Sequence, residues 1–157
     1  MPFLRESVKW FIESYPPGVT AEFTRSEVTR GFSNWVRYAP MEYAETKDKN
    51  AADVIISFMR NAEHNSNCSS CKLDAETLAH ASFEKGKYYL HFSIDHEWTE
   101  HDKMGRHMLH QVGHVFGLQH DQYQDSIMYP MDVAVGKLLY GKGVSDLKER
   151  YGVDKEE

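Results

Sequence analysis

Leu109-His110-Gln111-Val112-Gly113-His114-Val115-Phe116-Gly117-Leu118-Gln119-His120, continuing through Asp121-Gln122-Tyr123-Gln124-Asp125 to Ser126-Ile127-Met128-Tyr129-Pro130, is the stretch whose reading decides the rest of this chain. If His110 to Val115 is helical, His110 and His114 stand four residues apart on one face, roughly 5–6 Å between Cβ atoms, and both imidazoles reach a common point. Gly117 lets the chain turn, and His120 can swing back as a third nitrogen donor. Three neutral nitrogens with a fourth position left open form the donor set of a catalytic zinc ion, whereas a structural zinc is closed by four protein ligands.

Composition limits what surrounds that stretch. A length of 157 residues suits one domain with a real core and is short for two. The expectation is one domain over 1–157, with 1–6 and 154–157 as flexible tails. Hydrophobic residues make up 41% and aromatics 13%, which is globular. No apolar run approaches the roughly 18–20 residues of a membrane span. A net charge of −6 leaves no basic stripe for a phosphate backbone, so nucleic acid is not an expected partner. Met1-Pro2-Phe3-Leu4-Arg5-Glu6 has neither the apolar core nor the cleavage site of a signal peptide. Two cysteines, Cys68 and Cys71, are too few for a disulfide scaffold, and no second Cys-x-x-Cys completes a four-thiolate site. Nine histidines, concentrated between His64 and His120, point to metal binding.

Along the chain, Val8 to Glu13 reads as an opening strand stopped by Pro16-Pro17-Gly18. Thr24-Arg25-Ser26-Glu27 has the form of a capping box, and Val28, Phe32, Trp35 and Val36 follow helical spacing, which predicts a helix over about 25–38. Met41 to Ala44 is a short candidate strand. Val54-Ile55-Ile56-Ser57-Phe58 lacks alternation, as a strand covered on both faces does, and belongs mid-sheet. Residues 60–74 read as a long surface loop carrying His64 and both cysteines. Leu78 to Ala81 and Tyr88 to Ser93 read as two further strands, with the metal-bearing helix over 103–116 and a closing helix over 144–151, Val144 and Leu147 inward. His96, His101 and His107 read as surface residues.

These blocks together resemble a matrixin, the matrix metalloproteinase family within the metzincin zinc peptidases. The resemblance rests on His110-x-x-x-His114-x-x-Gly117-x-x-His120 followed by Met128 in Ser-Ile-Met-Tyr-Pro, a metzincin's three ligands and methionine turn. Ala52 to Phe58, Leu78-Ala79-His80-Ala81, and His91-Phe92 with Trp98 look like the family's other blocks. It implies an α/β fold, a twisted and mostly parallel five-stranded sheet with three helices. It also implies a secreted zinc endopeptidase, acting as a monomer on extended protein or peptide substrates and met by protein inhibitors of metalloproteases.

One residue departs from the pattern. In the family's His-Glu-x-x-His motif the glutamate takes the proton of the attacking water, and here that position is Gln111. An amide hydrogen-bonds but accepts no proton. Losing a general base typically costs roughly 10²–10⁴-fold. Either a Glu-to-Gln change was engineered into a working enzyme, or the chain is a natural pseudoprotease that binds peptides or inhibitors. The first is preferred, because an unused site would be free to decay.

The resemblance assigns further residues. Leu78 and Ala79 would pair with substrate as an edge strand, Pro130 and Met131 would form the opposite wall, with Asp132 where the family usually has an aromatic, and Arg106 would either make the pocket after the cut shallow or stand as an exposed arginine on the helix. His64, His80 and His91 correspond to a structural zinc site whose aspartate is replaced by Ser66, leaving Cys68 or Cys71 as possible fourth ligand; a disulfide is the alternative for the cysteines. The family's calcium site is expected to be lost or weak, since Ser93 and His96 stand where carboxylates belong, although Asp95 and Glu97 remain.

Overall fold

The computed structural model describes residues 7–66, 72–75, 77–99, 103–123, 126–130 and 142–150. Cys68, Cys71, His101, Met131, Asp132 and both expected tails lie outside them.

The buried run Val54–Met59 forms β3, and Val54 to Phe58 are all buried, as the unbroken apolar pattern requires. It lies at the centre of a five-stranded sheet in the order β2-β1-β3-β5-β4. Strands β1 (Ser7–Ile12), β2 (Glu42–Glu45) and β5 (Lys87–Ser93) run parallel to their neighbours in the β2-β1-β3-β5 series. β4 (Ala79–Glu84) is antiparallel to β5 and forms one edge. β1 alternates, sending Val8, Trp10 and Ile12 into the core.

Helix α1 spans Ala21–Trp35 and starts a turn earlier than the capping-box pattern predicts. Thr20, not Thr24, is the N-cap; its hydroxyl accepts from Phe23 N–H at 3.0 Å. Thr24 is buried inside the helix and donates its hydroxyl to the Thr20 carbonyl, and Glu27 is drawn under a neighbouring helix. Two threonines four residues apart are locally equivalent, and burial of the second decides between them.

Residues 61–65, expected in a loop, form the short helix α2 (Asn61–Asn65), so the described residues hold four α-helices rather than three. No side chain of its own caps it. Instead Asn61 N–H donates to Asp95 Oδ2 at 3.0 Å, a partner 34 residues away that local sequence does not disclose. The remaining helices are α3 (Lys103–Val115) and α4 (Lys142–Arg150), the latter with Val144 and Leu147 buried as expected.

α1 and α3 cross closely because glycines face the contact. Gly31 meets Val112 and Met108, and Gly105 meets Glu27. Trp35, fully buried, donates its indole N–H to the Leu109 carbonyl at 2.8 Å and ties the two helices together. Gly113, between His110 and His114 in sequence, lies against Met128 and Trp35. A Cβ there would stand 2.6 Å from Met128 Sδ and 2.9 Å from Trp35 Cζ2.

Gly113→Ala is therefore expected to lower the melting temperature. Overpacking typically costs about 1–3 kcal/mol, against a helix-propensity gain for alanine of about 1 kcal/mol, and the anchored Trp35 ring cannot yield easily. A variant melting at or above the parent temperature would contradict this packing.

Candidate metal centre and cleft

Two groups of three histidines converge among the described residues. In each, the donor atoms lie within 4.8 Å of one another.

The first group is His110 and His114 on α3 with His120 beyond it. The end of α3 is built to bring them together. Gly117, at φ +91°, reverses the chain; Leu118 N–H returns to the Gly113 carbonyl and Gly117 N–H to that of His114, a Schellman stop. The turn presents the Leu118 carbonyl to His114 Nδ1 at 2.8 Å. His110 Nδ1 donates in the same way to the Ile127 carbonyl at 2.7 Å, one residue before Met128. Asp121 N–H closes on the Met128 carbonyl at 2.9 Å, and Ser126 Oγ accepts from Met128 N–H, so the methionine turn is bound to the segment that carries His120. With each Nδ1 proton committed to a carbonyl, the Nε2 lone pairs of His110 and His114 face each other 3.2 Å apart. Burial, followed by neighbouring His114, pushes the His110 imidazole down to about 3. Burial also lowers His114 and His120. Neutral imidazoles with convergent lone pairs fit a zinc ion, a borderline-soft cation that prefers nitrogen donors.

The second group joins His64 of α2, His80 of β4 and His91 of β5. The register pairs His80 directly with His91, and buried His64 reaches across to His80 Nε2. His64 Nδ1 is held by Asn65 Oδ1 at 2.8 Å, which leaves His64 Nε2 for the cluster. Burial, then His64, lowers His80 to about 4; burial, then His80, lowers His91 to about 4. This donor set also suits zinc. Ser66, where the resemblance expects an aspartate, donates its hydroxyl to the Glu63 carbonyl at 2.9 Å. At the positions linked to calcium, Asp95 caps α2 and His96 Nε2 meets the Asp74 carbonyl at 3.0 Å.

The first group opens into a cleft of about 550 Å³. One wall is the run 77–83, every residue of which lines it, including Leu78 and Ala79; the other includes Arg106, Gln111 and Pro130. Gln111 is only 4% exposed, and its buried Oε1 has no hydrogen-bond partner. A buried carbonyl oxygen left unpaired beside three convergent imidazoles is where a bound group would satisfy it.

Residues 3–139 match the family described as Matrixin. The chain belongs to the matrixin family. Similar matrixins include human matrix metalloproteinase-19, 31% identical over 83% of this chain, and mouse stromelysin-3, 32% identical over 74% of it. Matrix metalloproteinase-C of Caenorhabditis elegans is 28% identical over 76%. The matched region is 28%, 24% and 22% of those proteins' own lengths, so this chain spans only a fraction of each.

In this matrixin the histidine spacing was readable in sequence, but the carbonyls of Leu118 and Ile127 that fix the rings were not, because a backbone acceptor has no residue-type signature. His107, expected on the surface, is half-buried in the cleft with its ring edge-on to Trp98 at 5.3 Å. Its helical phase, three residues before His110 and four before Gln111, was the signal available.

The lowered imidazoles make the metal-free domain acid-sensitive. Their folded values lie below the ordinary 6.5, so on acidification the unfolded chain takes up protons first. Stability present above pH 6.5 is lost as pH falls towards 4. In metal-free protein the urea midpoint should fall between pH 6.5 and 5, above the ordinary carboxylate range; a flat profile there would contradict neutral burial.

Proposed function

We propose that this matrixin domain is a zinc-dependent metalloendopeptidase for extended peptide segments whose water-activating step is disabled by Gln111. The observation that carries the reading is the convergence of His110, His114 and His120 on a cleft whose opposite wall is β4, the sheet edge among the described residues. The three imidazoles would hold the metal, and zinc bound there supplies Lewis acidity that polarises a scissile carbonyl and acidifies water.

The rest of the work falls to the chain. The outer edge of β4, unpaired among the described residues and with Leu78 and Ala79 just at its start, suits a peptide laid alongside as an added strand. Pro130, and with it Met131, would bound the other side. Arg106 would floor the pocket for the residue after the cut. Met128 packs beneath α3 against Gly113 and keeps the histidine-bearing turns in register. Gln111, at the cleft, can orient water or a peptide amide by hydrogen bonding but cannot remove a proton.

We read Gln111 as an inactivating Glu-to-Gln change in an otherwise complete site. The same residue favours a second reading, a natural pseudoprotease that grips peptides or inhibitors without cutting them. His64, His80 and His91 would hold a second, structural zinc, with Cys68 or Cys71 as candidates for its fourth ligand. An extracellular setting and a monomeric state accompany the family reading.

Gln111→Glu is expected to raise peptide cleavage by roughly 10²–10⁴-fold, with zinc content unchanged; no gain in turnover would favour the binding-module reading. Metal analysis separates the two centres. His110→Ala protein should retain one zinc per chain, and loss of all zinc would overturn the second site.

A further inference from the structure

Arg106 has an unusual place in this domain. It lies on α3 one helical turn before His110, half-buried, and lines the cleft. It makes no hydrogen bond or ion pair among the described residues, whose ion pairs use Arg25, Arg30, Lys47 and Lys49. A guanidinium carries five donors in a fixed fork and is always charged, so one that lines a cleft without a protein acceptor is available to a ligand that brings one.

The charge around it is one-sided. The chain as a whole is acidic, with 24 Asp and Glu against 18 Lys and Arg. Yet no described residue lining the cleft is Asp or Glu, and Arg106 is the one Lys or Arg among them. With Gln111 neutral, no described cleft-lining residue carries a carboxylate to offset this charge. Arg106 also borders a second cavity of about 170 Å³, where Glu27 and Arg30 lie. Glu27 approaches Arg30 at 3.9 Å and forms no ion pair with Arg106. Two guanidiniums and one carboxylate leave one net positive charge, and the cleft is where it can be met.

We propose that Arg106 makes this cleft selective for peptides bearing an acidic side chain, Asp or Glu, at the residue that follows the cleaved bond. The register rests on the peptidase reading above; the preference for a carboxylate rests on Arg106 itself. A planar carboxylate accepts two parallel N–H bonds from the guanidinium, whereas an isosteric carboxamide offers one acceptor and no charge. Arg106 thus contributes charge recognition in addition to limiting depth, and the two effects are separable by substitution.

The test uses zinc-loaded protein with Gln111 retained, so that ligands bind without turnover. The probes are three uncharged-terminus peptide hydroxamates, in which the hydroxamate anchors the register at the metal and the adjacent side chain is a carboxylate, its carboxamide isostere or isobutyl. The carboxylate ligand should bind about tenfold more tightly than the carboxamide at low ionic strength, and salt should shrink the advantage. Arg106→Met keeps length and apolar stem but removes the charge, and should erase the preference while still binding the isobutyl ligand; Arg106→Lys should retain part of it. Tighter binding of the carboxamide or isobutyl ligand by the parent, or a preference that survives Arg106→Met, would overturn the proposal. Cleavage by Gln111→Glu without carboxylate preference would sink this inference alone. Carboxylate preference without cleavage would sink only the peptidase reading.

Discussion

The metal-binding arrangement depends on two backbone carbonyls. Those of Leu118 and Ile127 take the Nδ1 protons of His114 and His110 and so settle which nitrogen of each ring is left to bind. Both carbonyls belong to turns rather than to regular structure. One turn exists because Gly117 adopts a left-handed backbone that ends α3; the other is the segment around Met128, locked to Asp121 by a backbone bond. The scaffold beneath supports both. Trp35 pins α1 to α3 through Leu109, and glycines at 31, 105 and 113 bring the packed surfaces close enough for that bond to form. A metal added to this arrangement meets rings already neutral and already oriented, so little ordering remains to oppose binding.

Holding a metal and using it are separate properties of this cleft. The imidazoles, their carbonyl partners and the β4 edge do not involve Gln111, whose Oε1 lacks a partner. A single carboxamide can therefore remove proton transfer without disturbing the converged imidazoles or the β4 edge. It also changes the charge of the cleft by one unit relative to a glutamate, leaving Arg106 without a carboxylate among the described cleft-lining residues.

Much of this was legible in the sequence, for physical reasons that differ by element. The unbroken Val54 to Phe58 run declared a central strand because a strand covered on both faces has no polar side to show. The spacing of His110, His114 and His120 around Gly117 implied that the three imidazoles converge, as they do, because few residue arrangements bring three rings to one point. The start of α1 is not legible locally, because Thr20 and Thr24 offer the same cap and only tertiary burial chooses between them. α2 leaves no local signal, because its N-terminus is capped from Asp95, far along the chain. His107 reads as a surface residue by type, whereas its phase on α3 places it in the cleft.

The central claim is that the fold itself presets the imidazoles for metal. Long-range proton–nitrogen NMR of the histidine rings in metal-free protein at neutral pH reads it directly. The account predicts that His110 and His114 are neutral, protonated at Nδ1, with Nε2 bare. Rings protonated at Nε2, or exchanging between both forms as free imidazole does, would contradict it.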